Sequence, residues 1–269
     1  MNSHKHLPKF LLKPFSYRKE ILYNGYQNKT EVCDVYICQS RDIVTENTKK
    51  IGTEKDYYSN DAEHYLSTYI ETPFANIKEK IRHASDYIEF TYDDFQTIKL
   101  FFLFSVLRTP KYINQLEITL AVPESEVKTP IQEAILLAME PVYKLLDRKF
   151  SINSRDVKIV KIDIVNREFV LPQNVFYFYS NNKIQNAIVF PVQRKYAIML
   201  VEHEQSKNIP DLLHIKTDEQ VDLFNGCAYL TERNVDNLFL VGCKFELEKF
   251  RDKDYEYEQI YTLIKEEES

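Results

Sequence analysis

Val157-Lys158-Ile159-Val160-Lys161-Ile162-Asp163-Ile164-Val165 alternates with a period of two. Val157, Ile159, Lys161, Asp163 and Val165 fall on one side of such a strand. Lys158, Val160, Ile162 and Ile164 fall on the other, so at least one face is apolar. Upstream the period is helical: Leu66, Ile70, Phe74, Ile77 and Ile81 recur at spacings of three and four. The switch near residue 156 gives an α+β class. The expected architecture is a small N-terminal β-hairpin, a central helical bundle, and a C-terminal mostly antiparallel sheet with closing helices.

The remaining elements follow from local signals. Ile21-Leu22-Tyr23 leads into Asn24-Gly25, a hairpin-turn pair because both residues accept positive φ. The return strand spans roughly 30–38. Asn60 is placed to cap a helix over 60–84, and Pro73 to kink or split it. A second helix covers 93–108, with Asp93 and Asp94 at its positive end and Pro110 just beyond it. It is apolar nearly all round from Leu100 to Leu107, as a central buried helix would be. Helices are expected at 111–121 and 130–147. Strands are expected at 168–171, 174–179, 186–190 and 195–202, then a helix at 218–231, a strand at 237–244 and a charged helix over 245–267. No repeat or low-complexity linker divides the chain. The expectation is one domain over 1–269, with a β-rich opening at 1–50, a helical part at 51–150 and a sheet with helices at 151–269.

Composition bounds the function. The 269 residues are 44% hydrophobic with a formal net charge of -6. That balance gives a real core and disfavours a protein that coats nucleic acid, although it leaves nucleic acid open as a partner. Lys9, Lys13, Arg18 and Lys19 form a local basic stretch that reads as a solvated face. Only four glycines occur, against a glycine-rich phosphate loop. Cys33, Cys38, Cys227 and Cys243 make no Cys-x-x-Cys pair and read as reduced, buried thiols. No His-x-x-x-His or His-Glu-x-x-His spacing is present, so no metal and no cofactor is expected. His203-Glu204 reads as a solvated edge, and Asp34 and Asp163 as weak acidic candidates within strands. The first 20 residues, interrupted by Lys5, Lys9 and Lys13, do not read as a signal peptide. Leu100–Leu107 falls far short of the ~20 residues that cross a bilayer. A cytoplasmic protein with no membrane partner is expected.

Four blocks carry a family resemblance. The first is His4-Lys5-His6-Leu7-Pro8-Lys9-Phe10-Leu11-Leu12-Lys13-Pro14-Phe15-Ser16. The second is Glu54-Lys55-Asp56-Tyr57-Tyr58, followed by the helix from Leu66 to Phe74 with Ile70-Glu71. The third is Leu107-Arg108-Thr109-Pro110. The fourth is Phe169-Val170-Leu171-Pro172-Gln173-Asn174-Val175, with Phe190-Pro191 and Asn225 after it. Together they resemble a bacterial family of unknown function, DUF4238. Lys5 departs from a histidine and Gln173 from an aspartate in that pattern.

The resemblance implies a site made of His, Arg, Asp and Asn at element ends. His4 and His6 are the candidate acid–base groups. Arg108, with its planar fork, is the candidate phosphate or carboxylate clamp. Gln173, Asn174 and Asn225 are the candidate ligand-binding residues. Each has a structural alternative: a tail histidine, an arginine at a helix C-terminus, an amide that satisfies neighbouring backbone. Two functions are open. One is a non-catalytic or degenerate member that binds an unknown ligand or protein partner, in phage defence or a mobile element. The other is a metal-independent enzyme on RNA or a nucleotide, with histidine as acid or base and arginine on the phosphate. The departures at Lys5 and Gln173 favour the first.

Overall fold

The computed structural model describes residues 3–5, 7–23, 26–55, 60–83, 88–108, 147–181, 183–233 and 238–252. The fold is α+β, and the chain divides into two compact units. One comprises Met1–Pro8 and Gly52–Arg155, the other Lys9–Ile51 and Asp156–Ser269. The expected opening at 1–50 and the expected sheet at 151–269 therefore largely share one unit.

In the first unit, β1 (Ser3–Lys5) pairs antiparallel with β5 (Thr53–Lys55). Helix α2 (Asn60–Tyr65) runs through a π-helical stretch at Leu66–Glu71 into α3 (Thr72–His83). The π stretch explains what Pro73 does. A proline inside a helix has no N–H and its ring collides with the carbonyl four residues back. The helix widens instead of breaking, and the Thr72 N–H reaches the Ser67 carbonyl five residues back. Leu66, Ile70, Phe74, Ile77 and Ile81 are all buried, as their spacing predicts. They face α4 (Tyr92–Arg108), and Phe74 stacks on Phe101 with ring centroids 3.7 Å apart. Helix α4 opens on a capping box. The Asp94 N–H donates to Thr91 Oγ1 at 3.2 Å, and the Thr91 N–H donates back to Asp94 Oδ2 at 2.8 Å. Burial alone would push the Asp94 carboxyl up; Lys80, at 2.7 Å, and Thr91 together hold it below the usual range. The helix expected at 111–121, and all but the last residue of the one expected at 130–147, lie outside the described residues.

The second unit holds two five-stranded sheets. Helix α1 (Lys9–Leu12) and a 3-10 turn at Lys13–Phe15 lead into β2 (Tyr17–Tyr23), which pairs with β3 (Tyr26–Ile37). Tyr23 pairs with Tyr26, so the connection is two residues long, where Asn24-Gly25 was expected to turn. Strand β4 (Asp42–Asn47) lies on the other side of β3, because Val32 pairs with both Tyr17 and Asn47. The hairpin is not a separate element. Strand β12 (Phe239–Gly242) pairs with β3, and β7 (Leu171–Pro172) pairs with β12, giving the order β2-β3-β12-β7.

The second sheet has the order β11-β6-β10-β9-β8. Its strands are β6 (Arg155–Ile162), β8 (Tyr177–Tyr179), β9 (Ala187–Gln193), β10 (Tyr196–Glu202) and β11 (Leu212–Ile215). The pairs β8–β9 and β9–β10 are antiparallel, but β11 runs parallel to β6. The sheet is mixed, and β11 is absent from the sequence reading because four residues are too few to display a period. Helices α5 (His203–Ser206), α6 (Asp218–Arg233) and α7 (Lys244–Asp252) complete the unit. Phe169, Tyr177, Val189, Met199, Phe224 and Leu240 sit in one continuous core.

Candidate functional site

Strand β7 is an edge strand, and the segment leading into it needs partners for its main chain. Helix α6 supplies them from one stripe. Asp218, Asp222, Asn225, Tyr229 and Glu232 recur at four, three, four and three, so they share a face. The seven residue steps from Arg167 to Asn174 reach at most about 23 Å at strand rise, and the fourteen steps from Asp218 to Glu232 span about 21 Å at helical rise. The two lengths match, and the segment runs alongside the helix.

Each end and the middle of that segment is tied. The Arg167 guanidinium binds Asp218 and Asp222. Asn225 Nδ2 donates to the Glu168 carbonyl at 2.8 Å, and Asn225 Oδ1 accepts from the Val170 N–H at 3.0 Å. The Asn174 N–H donates to Glu232 Oε1 at 3.1 Å. The opposite edge belongs to β12, where the Gln173 N–H donates to the Phe239 carbonyl at 3.0 Å. Pro172 fits here because an edge strand tolerates a residue with no donor.

At the start of the segment lies a buried charge cluster. Arg167 Nε donates to Glu246 Oε1 at 2.7 Å, with side-chain exposures of 3% and 1%. Burial alone would lower the guanidinium pKa; Glu246 and Asp218 outweigh it and raise it. Lys249 meets Asp222 at 2.8 Å, and Lys195 Nζ donates to the carbonyls of Ile164, Val165 and Arg167. Arg194 reaches the Pro14 carbonyl at 2.6 Å and Glu168 at 3.2 Å. The opening block around Leu11, Leu12 and Phe15, all buried, is thereby fixed to this unit.

At the far end the chain turns from one sheet to the other. The Val175 N–H closes the turn on the Pro172 carbonyl at 2.9 Å. Val175 has φ 71°, a left-handed conformation that a β-branched residue adopts only under strain. Asn174 and Tyr177 are buried, and neither Asn174 Oδ1 nor Tyr177 Oη has a hydrogen-bond partner. Glu232 is fully buried beside them. Burial, and then the charge of Glu232, push the Cys38 thiol up to about 12. Burial also pushes Cys227, which faces the Tyr177 hydroxyl, up to about 12 and Cys243 up to about 11. These thiols stay protonated and are poor nucleophiles.

Two carboxylate–imidazole pairs flank β6. His203 Nδ1 meets Asp156 Oδ2 at 2.8 Å, and His214 Nδ1 meets Asp163 Oδ2 at 2.9 Å. Asp156 also accepts from Ser206 Oγ, which ties α5 to β6. Burial would raise the Asp156 carboxyl; Ser206 and His203 outweigh it and hold it low. Asp34 accepts from the Tyr17 and Thr45 hydroxyls, both at 2.9 Å. Among the described residues, no group of three or more His, Cys, Asp or Glu side chains is arranged to hold a metal ion. None of the described helices is long and apolar enough to cross a membrane.

The sequence-expected residues divide between the units. His4 is the middle residue of β1 and Arg108 the last of α4, both in the first unit. His6 lies outside the described residues. Gln173, Asn174 and Asn225 are in the second unit and all three are buried, the first two on the segment that runs along α6 and Asn225 on α6 itself. Sequence reasoning missed Arg167, Glu232 and Glu246. Only Glu232 left a signal, its place on a heptad-spaced polar stripe of a helix whose other faces are apolar; Arg167 lies in the connection between β6 and β7 and Glu246 on α7, and nothing in the sequence pairs them.

No curated protein and no solved structure matches the chain. A family described as Protein of unknown function (DUF4238) matches residues 4–144, which takes in the first three blocks and leaves the Phe169–Val175 block, Phe190-Pro191 and Asn225 outside it. The match covers just over half of the chain, and the chain belongs to the family DUF4238.

Proposed function

We propose that the protein is a non-catalytic binding member of its family, and that the turn from Pro172 to Tyr177, with Glu232 of α6, is where it holds a ligand. The observation that carries this reading is the buried Asn174 Oδ1 without a partner. A buried acceptor left unmade costs about 1–3 kcal/mol, and native proteins keep few of them. The strained Val175 beside it adds a second local cost, of a kind that clusters at ligand clamps. The protonated thiols at Cys38 and Cys227 favour retention of a ligand over its covalent conversion.

Asn174→Leu and Tyr177→Phe test the reading. Replacing a lone polar group with an apolar one of similar shape is neutral or stabilising when nothing binds it. If a ligand does bind, native mass spectrometry of the purified wild type shows an added mass that both variants lose, and both melt lower than the wild type. An unadorned wild-type mass together with variants at least as stable would refute it.

A second reading has its own observation. Asp156 holds His203 at Nδ1, which directs the Nε2 lone pair outward as an acid–base group requires. Turnover of RNA or a nucleotide that His203→Gln abolishes, with the fold intact, would favour an enzyme.

A further inference from the structure

Between β6 and β7 the chain makes a loop whose two ends rest on the turn from β9 to β10. The Ile162 N–H donates to the Lys195 carbonyl at 2.9 Å, and the Phe169 N–H donates to the Arg194 carbonyl at 2.8 Å. These main-chain bonds need no side chain. Within the loop, the carbonyls of Ile164, Val165 and Arg167 converge on one point, and the Lys195 Nζ stands there, 2.9 Å from the Val165 oxygen. Three carbonyl oxygens aimed at one point repel one another unless positive charge lies between them. An ammonium carries three protons and accepts nothing. Each proton meets one carbonyl, and the fourth bond of the nitrogen leads back along the lysine stem. Burial pushes the Lys195 pKa below the usual amine range, and the Glu168 and Glu246 carboxylates offset part of that drop.

We infer that the loop Ile164–Arg167 is a primary-ammonium site, and that Lys195 fills it as a ligand tethered to the chain. Geometry sets the class as well as charge. A guanidinium spreads its donors in a planar fork and cannot converge three on one point. A bare alkali ion has no directed bonds for three carbonyls to match. Lys195 is thereby a positioning residue: it fixes the carbonyl of Arg167, whose guanidinium lies in the buried cluster with Glu246. Because main chain holds both ends of the loop, the site outlasts removal of the lysine stem.

The experiment uses the full chain at matched ionic strength, with melting temperature followed by differential scanning fluorimetry. Lys195→Ala keeps the first carbon of the stem, so n-propylammonium is the missing piece. The variant should melt about 5 °C below the wild type. n-Propylammonium should restore it saturably and leave the wild type unmoved, n-propanol should not restore it, and potassium should act at least tenfold more weakly. Lys195→Arg should melt as low as Lys195→Ala, although it keeps the charge. Circular dichroism checks that each variant is folded. If Lys195→Ala fails to fold, purification in n-propylammonium should recover it. Equal restoration by potassium, or a Lys195→Arg variant as stable as the wild type, would overturn the ammonium class. A Lys195→Ala variant as stable as the wild type, or one that n-propylammonium neither raises nor recovers, would overturn the site itself.

Discussion

Arg167→Met should be among the most damaging single changes in the second unit, and the size of the effect comes from one of its three carboxylates. Glu246 is the buried one, with 1% of its side chain exposed. Losing the guanidinium leaves that charge uncompensated in the interior, at a cost of about 3–5 kcal/mol. Asp218 is 62% exposed, so water screens its pair and its loss adds little. Asp222 keeps Lys249 at 2.8 Å. The expected total is therefore about 4 kcal/mol, nearly all of it from Glu246. Urea denaturation followed by circular dichroism reads it as a midpoint shift on the order of 2 M, for a slope of about 2 kcal/mol per molar.

The control is Arg167→Met with Glu246→Gln. The glutamine removes the buried charge and keeps an acceptor for the Glu168 N–H, which donates to Glu246 Oε1 at 3.1 Å. The double variant should recover at least half of the loss. A single variant that costs under about 1 kcal/mol, or a double no more stable than the single, would refute the reasoning. The pH dependence has a definite sign. Its bond to Arg167 holds the Asp218 carboxyl below the usual range. A depressed folded pKa gives stability that is present above the unfolded value, near 4, and is lost as pH falls through the folded value. Arg167→Met should flatten that acid slope below about pH 5.

Other expectations follow from the same packing. Gly242→Ala should destabilise by about 1–3 kcal/mol, because its Cβ would meet Val170 Cγ1 at 3.0 Å and Leu247 Cδ2 at 3.4 Å; thermal melting reads the loss. Thr91→Ala removes the hydroxyl of the α4 capping box and should cost about 1 kcal/mol by denaturant titration; a neutral result would mean that Asp94 and Lys80 hold the helix start without it. Iodoacetamide at pH 8 should leave Cys38, Cys227 and Cys243 unmodified in the folded protein, since their thiols lie at about 12, 12 and 11. Rapid native alkylation at any of these, read by peptide mass mapping, would contradict that.

The helical part was legible in the sequence because its signal is local. Leu66, Ile70, Phe74, Ile77 and Ile81 declare a buried face by spacing alone, and all five are buried. Tyr23 and Tyr26 pair across Asn24-Gly25 for the same reason. What the sequence hid is non-local. Strand β12 joins the N-terminal hairpin to β7, a strand more than 130 positions later in the chain, through the pairs Leu240–Tyr36 and Leu240–Pro172. Nothing in the alternation of Phe239–Gly242 names its neighbours. Pro73 is expected to kink or split its helix, yet the helix runs on through a widened turn with Thr72 bonded to Ser67, which no propensity specifies.

The polar residues of α6 show why a site is harder to read than a fold. Asp218, Asp222, Asn225 and Glu232, at heptad spacing, look like the wet side of a helix whose dry side is Val221, Phe224 and Ala228. Yet Leu223, Cys227 and Tyr229 are buried as well. Apolar positions cover too much of the circumference for the stripe between them to face water. Asn225 and Glu232 then have to be interior, and an interior amide or carboxylate has to meet hydrogen-bonding groups. The nearest unsatisfied main chain is the edge at residues 168–174, where a proline already breaks the ladder. Side chains of a helix take the place of a missing strand, and they can do so only at about one contact for every two turns of helix. That spacing ties Arg167, Glu168, Val170 and Asn174 and leaves the Asn174 side chain over. Asn174 therefore gives its N–H to Glu232, while its buried side-chain oxygen accepts no hydrogen bond.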